Sequence, residues 1–226
     1  KSEAGVAAGM HRRKEFEAEV ATQFPDFSVI GGEISAHFAA RELRARLKPV
    51  MVTEFTRMSC VIKPAAGSAI EASIDRGIVT SGNASERICE LELEVKAGPL
   101  LRAYQAASQL LEATPLLIED RSKAERGIAL YLREPRAPRK APPSTITAEM
   151  AGNDAFKALV QSCLVHFVAN QRGMLEDADP EYPHQARVAL RRLRSVFDTF
   201  STLLPAAPLD ALVPLNVINA NDLAGL

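Results

Sequence analysis

The sequence contains no tryptophan, only three cysteines, and aromatic residues at 5%. Cys60, Cys89 and Cys163 lie far apart, so they offer neither a disulfide framework nor a zinc-ligand spacing. They read as buried free thiols in a reducing compartment. No apolar run approaches the ~18 residues that a membrane span requires. Net charge is scarce too: 27 Lys and Arg stand against 28 Asp and Glu, for −1 at neutral pH. That balance excludes a uniformly basic coat for nucleic acid, although two opposite patches sum to the same value. What the chain does have is a 47% hydrophobic content over 226 residues, enough for the core of one large domain or two modest ones. It opens on Lys1 without a signal-peptide pattern, which reads as a processed chain or a fragment.

Residues 134–147, EPRAPRKAPPSTIT, hold Pro135, Pro138, Pro142 and Pro143 with basic residues between them. The prolines remove backbone donors and bias their neighbours toward extended shapes. This stretch reads as a linker between a first domain, 1–133, and a second, 148–226.

Before the linker, period-two alternation dominates. Arg13, Glu15, Glu17 and Glu19 alternate with Lys14, Phe16, Ala18 and Val20; Glu71, Ser73 and Asp75 with Ile70, Ala72 and Ile74; Glu90, Glu92, Glu94 and Lys96 with Leu91, Leu93 and Val95. Each pattern predicts a strand with one charged and one apolar face. Turn signals fall at 65–68 (AAGS) and 81–83 (SGN), and helical spacing covers 40–47 and 100–112. The first domain is therefore expected to be α+β with antiparallel strands. After the linker, the spacing predicts helices over 154–176 and from about 184 to 204, with a break at Asp179-Pro180 and Tyr182-Pro183.

Glu90, Glu92 and Glu94 share one strand face at about 7 Å intervals. One reading is the solvated outer face of a sheet. The other is a site for a hard divalent cation, which would offset the mutual repulsion of the carboxylates. Arg13 and Glu15, Arg57 in EFTRMSCVI, Asp75, and Lys123 and Arg126 in DRSKAERG add acids and bases of the same kind. A barrel with these faces inward would hold metal with its acids and phosphate oxygens with its bases.

The run ICELELEVKAG, an Ala- and Leu-rich helix and then SKAERG resemble the second half of a CYTH domain of the triphosphate tunnel metalloenzymes. The resemblance covers residues 1 to about 132. It implies an antiparallel β tunnel, use of Mg²⁺ or Mn²⁺, and hydrolysis of inorganic triphosphate. Thiamine triphosphatase and class IV-type adenylate cyclase activity are alternatives within the same family. Carried over, it assigns catalysis to Glu90, Glu92, Arg57 and Lys123. It assigns substrate binding to Lys1, Arg13, Arg57, Lys123 and Arg126, and metal binding to Glu90, Glu92, Asp75 and Glu15. Lys123 matches a lysine in the family's last strand region. The first-strand E-x-E-x-K signature and an R-x-R strand have no counterpart, so the CYTH domain reads as incomplete.

The stretch PHQARVALRRLRSVFDTF places His184, Arg187, Arg191 and Arg194 within a helical arc of about 80°. Leu190, Leu193, Val196, Phe197 and Phe200 lie opposite. A cation row without interleaved acids favours an extended anion, although a solvated basic face is the plainer reading. The pattern H-x-x-R-V-x-x-R-R-L-R resembles the start of a CHAD domain, an α-helical domain that binds inorganic polyphosphate and often follows CYTH. That resemblance implies polyphosphate binding by His184, Arg187, Arg191 and Arg194. It also implies an incomplete CHAD segment, with the tail after Leu209 unassigned. Together the two likenesses imply a bacterial, cytoplasmic protein, active as a triphosphatase in its parent form and found at polyphosphate granules. A polyphosphate-binding module with little or no catalysis is the alternative. Neither a membrane nor a specific nucleic acid is expected as a partner. His11, His37 and His166 read as surface or packing residues.

Overall fold

The computed structural model describes residues 5–7, 10–12, 18–22, 26–30, 32–38 and 40–203. Lys1, Arg13, Glu15 and the tail after Leu209 lie outside the described residues. The strand expected over 13–20 lies partly outside them too; residues 18–20 form no strand.

Two short strands, β1 (Gly5–Ala7) and β2 (Met10–Arg12), pair with each other. Three short helices follow: α1 (Phe27–Ile30), α2 (Gly32–His37) and α3 (Arg41–Arg46). The main sheet is β3 (Val52–Ile62), β4 (Ala69–Ser81) and β5 (Ala84–Ala97), antiparallel in the order β3-β4-β5. Then come α4 (Leu101–Ala113), α5 (Lys123–Leu132), α6 (Gly152–Glu176) and α7 (Glu181–Phe200). The chain divides into two compact units, and the sheet and α5 belong to the first, α6 and α7 to the second. The division nearest the Pro-rich stretch falls between Glu134 and Pro135.

Both hairpin turns sit where glycine punctuates the sequence. Gly67 (φ 74°) turns β3 into β4. Gly82 (φ 57°) takes the first central position of the two-residue loop between Ser81 and Ala84, where a positive φ suits the twist of the strands. The sheet is mixed with helices as expected, but it is open among the described residues, not a closed barrel.

The register separates the two faces of the sheet. Arg57, Asp75 and Glu90 are cross-strand neighbours on one face, and Met58, Ile74 and Leu91 on the other. A one-sided sheet ordinarily buries its apolar face. Here α5 packs over the charged face, where Asp75, Val79 and Ile88 are buried, while Met58 stays 68% exposed.

Lys123, expected in a strand region, instead opens α5. Ser122 explains the difference: its hydroxyl accepts from the Glu125 N–H at 3.2 Å, and the Glu125 carboxylate accepts from the Ser122 N–H at 2.7 Å. This reciprocal capping box starts a helix. At the far end Arg133 adopts the left-handed conformation (φ 53°), and the Glu134 N–H reaches back to the Ala129 carbonyl.

In the second unit α6 and α7 pack as a helical hairpin. Cys163, Leu193 and Val196 form its buried centre, flanked by Phe156, Leu159, Val160, Leu164, Phe197 and Phe200. The edge contact of Phe156 with Phe197, with centroids 5.6 Å apart, ties the helices together. Of the Pro-containing pairs expected to break the chain, Asp179-Pro180 does so. Pro183 lies inside the first turn of α7, where its missing N–H leaves no intrahelical bond unmade. Of the three thiols, which are all free, only Cys163 is buried. Cys60 and Cys89 are exposed because both lie on the face of the sheet opposite α5.

Candidate functional site

Two clusters of charge stand out, one in each unit. The first is built on the register of the sheet. Asp75, wholly buried on β4, accepts from Arg57 Nε at 2.7 Å and Nη2 at 2.6 Å. The same Arg57 Nη2 donates to Glu92 at 2.6 Å. Lys123, at the first turn of α5, places its ammonium 2.7 Å from Asp75 and 2.7 Å from Glu92, and also contacts Glu90. Phe55 lies beneath both cations, its ring centre 5.5 Å from the Arg57 guanidinium and 5.0 Å from the Lys123 ammonium.

The electrostatics follow from this geometry. The Arg57 hydrogen bonds, helped by Lys123, hold the Asp75 carboxyl below its ordinary value although burial pushes the other way. Burial would raise Glu92, but Lys123 and Arg57 outweigh it and keep Glu92 low. Burial would lower Lys123, yet its bonds to Asp75, Glu90 and Glu92 raise it. Arg57 is raised chiefly by its bond to Asp75. The cluster is therefore a set of mutually stabilised full charges.

Asp75, Glu90 and Glu92 each bring a carboxylate oxygen to within 4.8 Å of the others. That donor set fits a hard divalent cation. The Lys123 ammonium already sits among all three, so a cation held by them would compete with it.

Arg126 is part of the support beneath this cluster. It is 3% exposed, and its guanidinium donates to Glu86 and Glu90 at 2.9 Å each and to the Arg87 carbonyl. Its donors are directed into the protein. Glu86, which no sequence motif singled out, accepts from it at the base of the cluster. The far end of the acidic row is solvated: Glu94 pairs with Lys96 at 2.7 Å, and Lys96 also reaches Glu71 at 3.3 Å.

The second cluster lies on α7. His184, Arg187, Arg191 and Arg194 are all exposed, while Leu193 and Val196 are buried against α6. Amphipathic spacing alone produces this division. Arg192 points off the row, toward Ser162 of α6 at 3.4 Å.

Residues 158–214 match the CHAD domain family. The matched stretch contains most of α6, all of α7 and the whole cation row. The match does not extend to the sheet, where the likeness to CYTH rests on the sequence motifs. No helix among the described residues is long and apolar enough to cross a membrane.

Sequence reasoning missed a polar network that ties the Pro-rich stretch to α6 and α7. His166 Nε2 lies 3.0 Å from both the Arg139 carbonyl and Gln185 Oε1. Asn170 donates to the Arg139 carbonyl and accepts from the Arg139 N–H, at 2.9 Å each. The signal was present: His166 and Asn170 stand four residues apart on α6, so they share one face of the helix.

Proposed function

We propose that the protein handles inorganic phosphate chains, binding polyphosphate through the CHAD helices and hydrolysing inorganic triphosphate at the charged face of the sheet. The observation that carries this reading is the exposed row of His184, Arg187, Arg191 and Arg194 inside the stretch that matches CHAD. A linear polyanion meets successive cations along such a row, and charge-assisted bonds to phosphate oxygens give it affinity.

The sheet supports the hydrolytic half. In the CYTH-like reading the strands belong to a tunnel whose charged faces line the interior. Arg57 and Lys123 would take the oxygens of the triphosphate. Asp75, Glu90 and Glu92 would hold Mg²⁺ or Mn²⁺, which when bound neutralises developing charge on the phosphoryl group. Asp75 and Glu92 take Nε and Nη2 of Arg57 and fix its direction, so Nη1 would meet a phosphate oxygen without reorganisation. The full chain should release phosphate from inorganic triphosphate with either cation, and Glu92→Ala or Arg57→Ala should abolish release. Unchanged turnover in both variants would remove the catalytic assignment.

A second reading, polyphosphate binding with little or no catalysis, is favoured by the open three-stranded sheet, which does not close into a tunnel among the described residues. It predicts a polyphosphate gel shift that His184→Ala and Arg191→Ala weaken, with no phosphate release. Substrate choice among inorganic, thiamine and nucleoside triphosphates is decided by the same release assay run on each.

A further inference from the structure

The Pro-rich stretch 134–147 has the composition of a linker, yet it is fastened to the helical hairpin. Asn170 pairs with both the N–H and the carbonyl of Arg139, as a second peptide strand would. His166 adds a third tie, and its Nε2 also meets Gln185 of α7. With two oxygen acceptors facing it, that nitrogen carries the proton. His166, Asn170 and Gln185 are all buried, at 1%, 0% and 7% exposure. Two buried polar side chains of α6 thus converge on one backbone position, with Gln185 of α7 bracing His166 from behind, while the side chains of Arg139 and Lys140 remain exposed.

The clasp also fixes where those cations lie. Gln185 follows His184 directly, about 100° further round α7. The arm therefore lies near the N-terminal end of α7, where His184 begins the row, on the side that Gln185 faces. Burial, then Asp177 and Asp179, raise the hydroxyl of Tyr182 in the first turn of α7, and Arg136 and Arg139 lie close enough to oppose that rise in part. Two acids flank this end of α7: Asp177 accepts from the Asp179 N–H at 3.0 Å, and Asp179 accepts from the Glu181 N–H at 2.9 Å. Arg136 is held by Glu176 at 2.6 Å, which leaves Arg139 and Lys140 as the arm's outward cations.

The geometry points to Arg139 and Lys140 as a further part of the anion-binding surface, held in place by the His166–Asn170–Gln185 clasp and continuing the α7 row for a linear polyphosphate chain. This rests on the polyphosphate-binding reading above. It assigns the Pro-rich segment a binding role and makes Asn170 a positioning residue for it.

The test is calorimetric titration of the full chain with long-chain inorganic polyphosphate at several salt concentrations. Replacing both residues (Arg139→Ala with Lys140→Ala) touches no packed side chain. It should weaken binding roughly tenfold, which is ~1.4 kcal/mol. The slope of log affinity against log salt should fall by about 1.5, for two lost phosphate contacts. In an Asn170→Ala background the same pair of replacements should cost markedly less, because the arm is no longer placed. Unchanged affinity and slope in the Arg139/Lys140 variant, alongside weakened binding in Arg187→Ala with Arg191→Ala, would overturn the arm alone. Unchanged binding in both variants would overturn the α7 row with it.

Discussion

Asp75 takes both arms of the Arg57 guanidinium, Nε on Oδ1 at 2.7 Å and Nη2 on Oδ2 at 2.6 Å, directly across the β3–β4 ladder. The carboxylate is wholly buried, while Arg57 keeps 41% of its side chain exposed. A buried charge whose partner is removed costs far more than the pair contributes net.

Arg57→Ala should therefore destabilise the first unit. Lys123 remains beside Asp75 and water reaches the vacated site, so the expected loss is about 1–3 kcal/mol, less than for a fully buried pair. It should appear as a lower urea midpoint with an unchanged slope. An unchanged midpoint would mean that Lys123 alone satisfies Asp75.

The same pairings set a pH profile. Asp75 titrates below its ordinary 3.8 in the folded protein, mainly through Arg57. Its contribution to stability is complete above 3.8 and is lost as pH falls through the folded value. Lys123 behaves oppositely: burial would lower it, but its carboxylate bonds raise it above 10.5. Its contribution is complete below 10.5 and is lost as pH rises through the folded value. Melting temperature against pH should show both limbs. Asp75→Asn should flatten the acid limb; an unaltered limb would place the acid sensitivity elsewhere.

Lys123 pairs with the three carboxylates of the proposed cation site. Removing it with Lys123→Ala should tighten Mn²⁺ binding by roughly tenfold, ~1.4 kcal/mol, read by calorimetry. Adding Glu92→Gln should reverse the gain. If Lys123→Ala binds Mn²⁺ no better than the natural sequence, the three carboxylates are a salt-bridge cluster and not a cation site.

Gly173 of α6 lies under Tyr182, and a Cβ there would come within 2.2 Å of the ring. Gly→Ala inside a helix ordinarily stabilises by up to ~1 kcal/mol. Here the sign should reverse, with a loss of about 1–3 kcal/mol from overpacking. A stabilised Gly173→Ala would mean that the α6–α7 contact yields at this point.

The repeating elements were legible in the sequence because each obeys one local rule. Alternation marked β4 and β5, and 3.6-residue spacing marked α6 and α7 with their cation row. The misplaced features depend on contacts. Lys123 sits on a helix because Ser122 and Glu125 cap one. Cys60 and Cys89 are exposed because α5 covers the opposite, charged face of the sheet, which alternation cannot foresee. The tie of Arg139 to Asn170 joins residues 31 positions apart, and nothing in a Pro-rich composition signals it. Within the candidate site, the motifs marked Arg57, Asp75, Glu90, Glu92 and Lys123, and the structure brings these five together. Arg126 belongs to the support below them.

Titration of the full chain with long-chain inorganic polyphosphate is the most direct measurement of phosphate-chain recognition. Saturable binding that weakens with salt, and that falls at least tenfold (~1.4 kcal/mol) when Arg187 and Arg191 are both replaced by Ala, is the expected result. Absence of binding, or binding indifferent to those two arginines, would contradict it.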